Sequence, residues 1–180
     1  MTVMSMKLLS SLVSVWFVAG TIVGCMHRSD ARTPVGVGEF EILSNPQILA
    51  DFAVPIEKMT LKGVALGEGR EAILSNRVLS EDANGWIVCR DACRYRIIAG
   101  KVATLGVWDQ KALTQLGVNE EADIQARFGP PESVEKVDTL STKMTIHRFA
   151  NGTRRASWDR ILNRLSTVNI GSAAVAATEP

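Results

Sequence analysis

An uncharged apolar run near the N-terminus limits how much of this 180-residue chain can fold into a globular domain. The run covers residues 8–24, follows Lys7 and ends among small residues such as Gly20 and Gly24. A basic start, a short apolar middle and a small-residue end are typical of a secretory signal peptide. As a membrane span the run is at the short limit, since crossing takes roughly 20 apolar residues. We therefore predict a signal peptide over residues 1–24.

A cysteine stands directly after this run. Residues 22–25 read Ile-Val-Gly-Cys, which resembles a bacterial lipobox. The resemblance implies that Cys25 receives a diacylglyceryl group, becomes the mature N-terminus and carries long acyl chains such as palmitate. Each buried CH₂ contributes about 0.8 kcal/mol, so two or three chains hold a protein on a membrane essentially permanently. Met26 is not the Asp of the inner-membrane sorting signal, which implies the outer membrane, with the protein facing the periplasm.

The other two of the three cysteines form a natural pair. Cys89 and Cys93 lie in "GWIVCRDACRYRII", where two alternating β-type runs flank residues 90–92. A hairpin with a three-residue loop brings the two Cβ atoms close, which favours a disulfide that clamps the turn. Redox catalysis and metal binding are the rival interpretations. Redox motifs normally have two intervening residues, and both histidines are distant in sequence, so we predict the disulfide.

Composition and charge divide the rest of the chain. Residues 25–39 contain proline and glycine and no apolar period, which predicts a linker between lipid and domain. Residues 172–180 are predicted to be a flexible tail, so the domain is expected over residues 40–171.

Without residues 1–24, whose one charge is Lys7, basic and acidic residues balance. A nucleic-acid binder would need a large basic excess, so we expect no nucleic-acid partner.

Two similar stretches lie 50 residues apart within this domain. "LGEGREAILSNR" begins at Leu66 and "LGVNEEADIQAR" begins at Leu116, and each is predicted to start a helix that β-rich sequence follows. The pattern predicts an α+β fold with short helices packed on an antiparallel sheet. A duplication would give two tandem helix-plus-hairpin units, over residues 60–110 and 111–171.

The second stretch carries a family resemblance. Asn119 is expected to cap a helix that buries Ile124 and Phe128 on one face and stops at Gly129. "IQARFGPP" and the later "KMTIHRF" resemble the outer-membrane lipoprotein domain of the SmpA/OmlA type, known in the barrel-assembly machinery as BamE. Asn119 replaces a Thr of that family, one extra residue precedes Ile124, and the first stretch lacks Gly-x-Pro. The resemblance implies an α+β fold and a binding role in an envelope assembly, and it transfers no catalytic residue.

A basic segment, "TRRASWDRILNRL", follows near the C-terminus. Ser157 is expected to cap a helix whose apolar residues, Trp158, Ile161, Leu162 and Leu165, recur at i, i+3, i+4 and i+7. In one interpretation this stripe packs on the sheet and solvated arginines lie outside. In the other, the arginines form a basic surface for anionic lipid or an acidic partner. The first interpretation is favoured, because tryptophan among aliphatic residues suits a core.

No enzyme motif occurs in the sequence: nucleophile elbow, phosphate loop, zinc-protease helix and dinucleotide fingerprint are all missing. We therefore predict no catalytic residue, no cofactor and no metal site. The expected function is a membrane-anchored, non-catalytic binding or assembly component with an envelope protein as partner. The alternative is a small-ligand-binding or enzyme-inhibitor module. The candidate surface for a partner or lipid comprises Phe128, Pro130, Pro131, Arg154, Arg155, Trp158, Arg160 and Arg164.

Overall fold

A computed structural model describes residues 40–171 of the chain. The predicted signal peptide over residues 1–24, the lipidation site Cys25 with its linker to residue 39, and the tail over residues 172–180 lie outside the described residues. Within the described part, the helices are all too short and polar to cross a bilayer.

Strands dominate the described domain, so the predicted α+β class is wrong and the fold is β-rich. Residues 40–171 contain eleven strands, two α-helices and four short 3-10 helices. The strands are β1 Phe40–Glu41, β2 Met59–Leu61, β3 Val64–Ala65, β4 Val78–Glu81, β5 Trp86–Cys89, β6 Cys93–Ile98, β7 Lys101–Val107, β8 Ser133–Asp138, β9 Lys143–Phe149, β10 Arg154–Asp159 and β11 Arg164–Gly171. The helices are α1 Gln110–Thr114 and α2 Glu121–Phe128, with 3-10 turns at Pro46–Leu49, Ile56–Lys58, Arg70–Ala72 and Ser75–Arg77.

Eight of these strands form one antiparallel sheet made of two successive meanders. Its strand order is β4-β5-β6-β7-β11-β10-β9-β8, so the last strand of each meander pairs with the last strand of the other. Those two central strands, β7 and β11, are buried over almost their whole length. The predicted helix-plus-hairpin units are therefore wrong, because each half of the chain supplies four strands.

A second layer covers one face of this sheet. Strand β1 pairs in parallel with β2, and β3 pairs antiparallel with β2, in a small three-stranded sheet. The hydroxyl of Tyr95 on β6 donates a hydrogen bond to the carbonyl of Leu61 at 2.8 Å and so joins the two sheets. One continuous core lies between the layers, and its largest fully buried side chains include Trp158, Tyr95, Phe149, Leu49, Met59, Leu105, Leu113 and Ile124.

The helix predicted after Leu116 is confirmed, with a different cap. Helix α2 buries Ile124 and Phe128 and ends before Gly129, whose positive φ of 81° suits a residue without a Cβ. The N-cap is Glu120 rather than Asn119, because the side chains of Glu120 and Asp123 accept each other's backbone N–H in a capping box.

The helix predicted after Leu66 does not form. The segment makes two single 3-10 turns, Arg70–Ala72 and Ser75–Arg77. The sheet uses its backbone instead, since Gly67 N donates to Val102 O at 2.8 Å and Val102 N donates to Glu68 O at 2.7 Å. The positive φ of Gly67, +83°, is also incompatible with an α-helix at this point.

The basic helix predicted from Ser157 is also wrong, because its residues form the β10–β11 hairpin. Trp158 and Leu165 face each other across the two strands and are both buried. Ile161 and Leu162 lie in the turn and are each 57% exposed. The carboxylate of Asp159 accepts hydrogen bonds from both of their backbone N–H groups, at 2.8 and 2.9 Å, which closes the turn. The helical spacing of four apolar residues is therefore a coincidence of strand and turn lengths.

Candidate binding face of the sheet

The face of the large sheet that points away from the core carries a row of polar side chains. We call it the arginine face and define it by Arg94, Arg96, Arg148, Arg155 and Asn169. Strand alternation places these residues opposite core residues such as Tyr95, Ala156 and Val168. Registers align four of the five on one rung, which crosses five strands in the order Arg148, Arg155, Asn169, Gly106 and Arg94.

Arg94 lies flat across the sheet because Gly106 leaves room for it. A Cβ on Gly106 would lie 2.5 Å from Arg94 Cγ and 2.8 Å from Asn169 Oδ1. The guanidinium of Arg94 donates to Asn169 Oδ1, through Nη2 at 3.1 Å and Nε at 3.4 Å. It also stacks over the Trp86 ring, 4.6 Å from the ring centroid. These contacts fix the orientation of the Arg94 side chain.

The electrostatics of the arginine face favour an anion. Burial first, and then the nearby positive charges of Arg148, Arg94 and Arg96, lower the pKa of Arg155 to about 10, although Glu135 opposes them. Burial also lowers the pKa of Arg94. Glu135 pairs with Arg148 at 2.8 Å. Clustered guanidinium groups in partly desolvated positions create a positive potential that a bound carboxylate or phosphate would relieve.

A cavity of about 560 Å³ opens beside this row. Two basic groups line it, Arg94 from the row and Arg164 from the start of β11. Its remaining walls are polar in part and apolar in part, and comprise Gln110, Ser166, Thr167, Val88, Ala92 and Trp108.

The candidate surface residues separate into two groups. Arg155 lies on the arginine face and Arg164 lines the cavity. In the loop after α2, Pro130 is exposed and Pro131 is half-buried. Arg160, in the β10–β11 turn, pairs with Asp138 of β8. The remaining three residues are buried and therefore offer no surface to a partner: Phe128, Arg154 and Trp158.

Sequence reasoning missed most of the arginine face. "CRYRII" alternates, so it signals that Arg94 and Arg96 share one face of a strand, but it does not show what lies beside them. Arg148, Asn169 and Thr167 had no local signal, because strand pairing alone brings them to this face. Among residues 40–171, no group of three or more His, Cys, Asp and Glu side chains is placed to hold a metal ion.

Cys89 and Cys93 lie at the two ends of the β5–β6 loop, and both are buried as free thiols in the structure. Val88 pairs with Arg94, so the next step of the register places the two cysteines opposite each other. Burial and the charge of Asp91 raise the pKa of Cys93 to about 12, and burial also raises the pKa of Cys89. Thiolates, the reactive form, are therefore scarce in the folded reduced chain.

Because the sequence predicts export, we also predict that Cys89 and Cys93 become disulfide-bonded in the periplasm, the bond forming before folding buries the thiols. Alkylation of denatured, non-reduced protein should then leave both unlabelled, and prior reduction should expose both to label. Mass spectrometry of the labelled peptides measures this. Two labelled cysteines in the non-reduced sample would show that the pair is free.

Acidification should destabilise the domain through His147, whose Nε2 lies 3.5 Å from the carboxylate of Glu121. Burial lowers the pKa of His147 below its ordinary value of 6.5, and Glu121 offsets this only in part. The unfolded chain therefore binds a proton more readily than the folded one, so the contribution to stability is present above pH 6.5 and is lost as the pH falls. Urea unfolding at several pH values should show this loss, and His147→Gln should reduce it. An unchanged pH dependence in His147→Gln would contradict the assignment.

Comparisons with known proteins add a weak likeness. No family model matches this chain, and no curated protein is significantly similar to it. A solved structure with some similarity is a DUF4309 family protein, YjgB, of Bacillus subtilis subsp. subtilis str. 168. It is 12% identical, with 62% of this chain and 74% of that chain covered, at a TM-score of 0.35. Similarity at this level assigns neither fold nor function, and the resemblance to the SmpA/OmlA family stays a prediction.

Proposed function

We propose that this chain is a lipid-anchored envelope protein and that its domain is a non-catalytic binding component whose arginine face takes an acidic protein partner. The observation that carries the proposal is the rung of the sheet on which Arg148, Arg155 and Arg94 lie together. Guanidinium groups bind carboxylates in a planar, bidentate way, so several on one face suit an acidic surface.

The remaining parts of the mechanism come from the sequence. Lipid on Cys25 would keep the domain at the outer membrane, in the periplasm. The linker to residue 39 then sets its reach, because 15 residues span at most about 50 Å when fully extended. The partner must therefore lie on the membrane or close to it.

The arginine face suits a protein more than a lipid surface. Asn169 and Trp86 hold Arg94 in one orientation, and Arg155 and Arg148 are half-buried beside it. Basic side chains that bind lipid headgroups are typically long, mobile and accompanied by exposed apolar residues that enter the bilayer. Half-buried guanidinium groups, of which Arg94 is held in one orientation, instead match discrete carboxylates on a folded partner.

The test is affinity purification of the tagged protein from crosslinked envelopes. The wild-type protein should recover a defined complex. Cys25→Ser should lose lipid labelling and weaken the recovery, because the domain leaves the membrane. Arg148→Gln/Arg155→Gln should reduce the recovery at least tenfold while lipid labelling persists, since roughly 1.4 kcal/mol of lost binding free energy is tenfold in affinity.

A matched control removes the same charge elsewhere. Lys111 and Arg127 are exposed on α1 and α2 and lie on none of the strands that form the arginine face, so Lys111→Gln/Arg127→Gln should recover the complex like the wild type. Equal losses in both double variants would indicate a general charge effect. Recovery of lipid alone would favour a membrane surface as the ligand of the arginine face. Persistent lipid labelling of Cys25→Ser would refute the anchor.

A further inference from the structure

We infer that the cavity between β5, β6 and β11 is a binding site for a small organic anion, a carboxylate or a phosphate ester with an apolar part. The site is defined by Arg94, Arg164, Thr167, Gln110 and Trp108. Its volume of about 560 Å³ falls within the range of known small-molecule pockets. The inference does not depend on the acidic protein partner, because Arg148 and Arg155 do not line this cavity.

Charge is the first argument. Two guanidinium groups, of Arg94 and Arg164, line the cavity, and no acidic residue is among the residues that line it in the described structure. Arg94 is largely withdrawn from water, and burial lowers its pKa, so its charged form is stabilised less than it would be in solvent. A bound oxyanion would restore part of that stabilisation through a charge-assisted hydrogen bond.

A buried hydroxyl is the second, independent argument. Thr167 is 8% exposed and lines the cavity, and within residues 40–171 its Oγ1 has no hydrogen-bond partner. Buried polar groups without partners are uncommon, because losing water without replacement costs free energy. An anion held by Arg94 would supply the missing acceptor for the Thr167 hydroxyl.

The remaining walls define the rest of the ligand. Val88, Ala92 and the partly exposed ring of Trp108 give an apolar side, and Gln110 and Ser166 add neutral polar groups. An aromatic or aliphatic part beside Trp108, with one oxyanion directed at the guanidinium groups, matches this division. The site is also preformed, because Asn169, Trp86 and the missing side chain of Gly106 already fix Arg94.

The test uses the purified full chain in detergent, titrated with benzoate, phenyl phosphate and inorganic phosphate and followed by calorimetry. Benzamide serves as the neutral match to benzoate. We expect saturable binding of benzoate or phenyl phosphate, and benzamide at least about tenfold weaker, the ratio that a charge-assisted contact of roughly 1.4 kcal/mol gives. Absence of saturable binding for all three anions, or equal binding of benzamide, would overturn the inference.

Two variants locate the binding. Arg164 is exposed, so Arg164→Met should fold normally and lower the affinity about tenfold. Thr167→Val should lower the affinity severalfold and yet leave stability unchanged or raised, because it removes a buried hydroxyl that lacks a partner. If Thr167 had only a structural role, its replacement would not lower the affinity while leaving the stability unchanged or raised. Arg127→Gln, at an exposed arginine of α2 that does not line the cavity, is the control and should bind the probes like the wild type. Affinities unchanged in both Arg164→Met and Thr167→Val would contradict the assignment of the site.

Discussion

Replacing Arg154 by Met is expected to lower the free energy of unfolding by about 3 kcal/mol or more, since each buried acceptor left without a partner costs roughly 1–3 kcal/mol. Arg154 is 2% exposed and points from β10 into the N-terminal layer. Its guanidinium donates to four backbone carbonyls within 2.7–3.3 Å, those of Ile48, Leu49, Asp51 and Val54. It thereby ties residues 48–54 to the large sheet.

The planar fork of the guanidinium is what this arrangement requires. Lys in its place would keep the charge but present a single ammonium group, so Arg154→Lys should lose most of the same stability. Urea unfolding measures both variants, and Arg127→Met, at an exposed arginine of α2, is the matched control and should change stability little. A loss below about 1 kcal/mol in Arg154→Met would show that water replaces the guanidinium readily.

Trp158→Ala should lower the free energy of unfolding by about 3–5 kcal/mol, because it removes a large aromatic side chain from the core. Trp158 is 1% exposed, and Leu165 faces it across the β10–β11 hairpin. Ile161→Ala and Leu162→Ala should each change stability by less than about 0.5 kcal/mol, since both side chains lie in the turn and are 57% exposed.

The comparison between these variants distinguishes a hairpin from an amphipathic helix. In a helix, Trp158, Ile161, Leu162 and Leu165 would share one buried stripe, and all three replacements would be costly. In the hairpin, the cost alternates with the position of each residue in strand or turn. Equal losses at Trp158 and Leu162 would contradict the hairpin.

The same segment shows why part of the fold could not be predicted locally. The spacing of Trp158 and Leu165 satisfies a helical period and also a pair of strands around a turn of four residues, so periodicity alone cannot separate them. The signal for the turn was Asp159, whose short side chain accepts the backbone N–H groups of the next residues. Where a turn was short and well marked, as at residues 90–92, the predicted hairpin was confirmed.

The arginine face shows a second reason why the structure could not be predicted from local sequence. Alternation in "CRYRII" correctly predicts a strand and places Arg94 and Arg96 on one side of it. Arg155 joins them through the pairing of β7 with β11 and of β11 with β10. No local property of residue 94 or residue 155 specifies that pairing, because it depends on the core that the two meanders share. The strand that carries Arg94 and Arg96 was therefore predictable from the sequence, but the assembly of the arginine face was not.

The position of β11 has a consequence for how the chain acquires its structure. Among the described strands it is the last to leave the ribosome, yet it lies at the centre of the sheet. Until it arrives, β7 has no partner on one side, and a long strand made almost wholly of buried residues is a template for aggregation. A chain shortened before residue 164 would keep that edge open. Cellular quality control would meet such a fragment as an unfinished sheet rather than as a smaller domain.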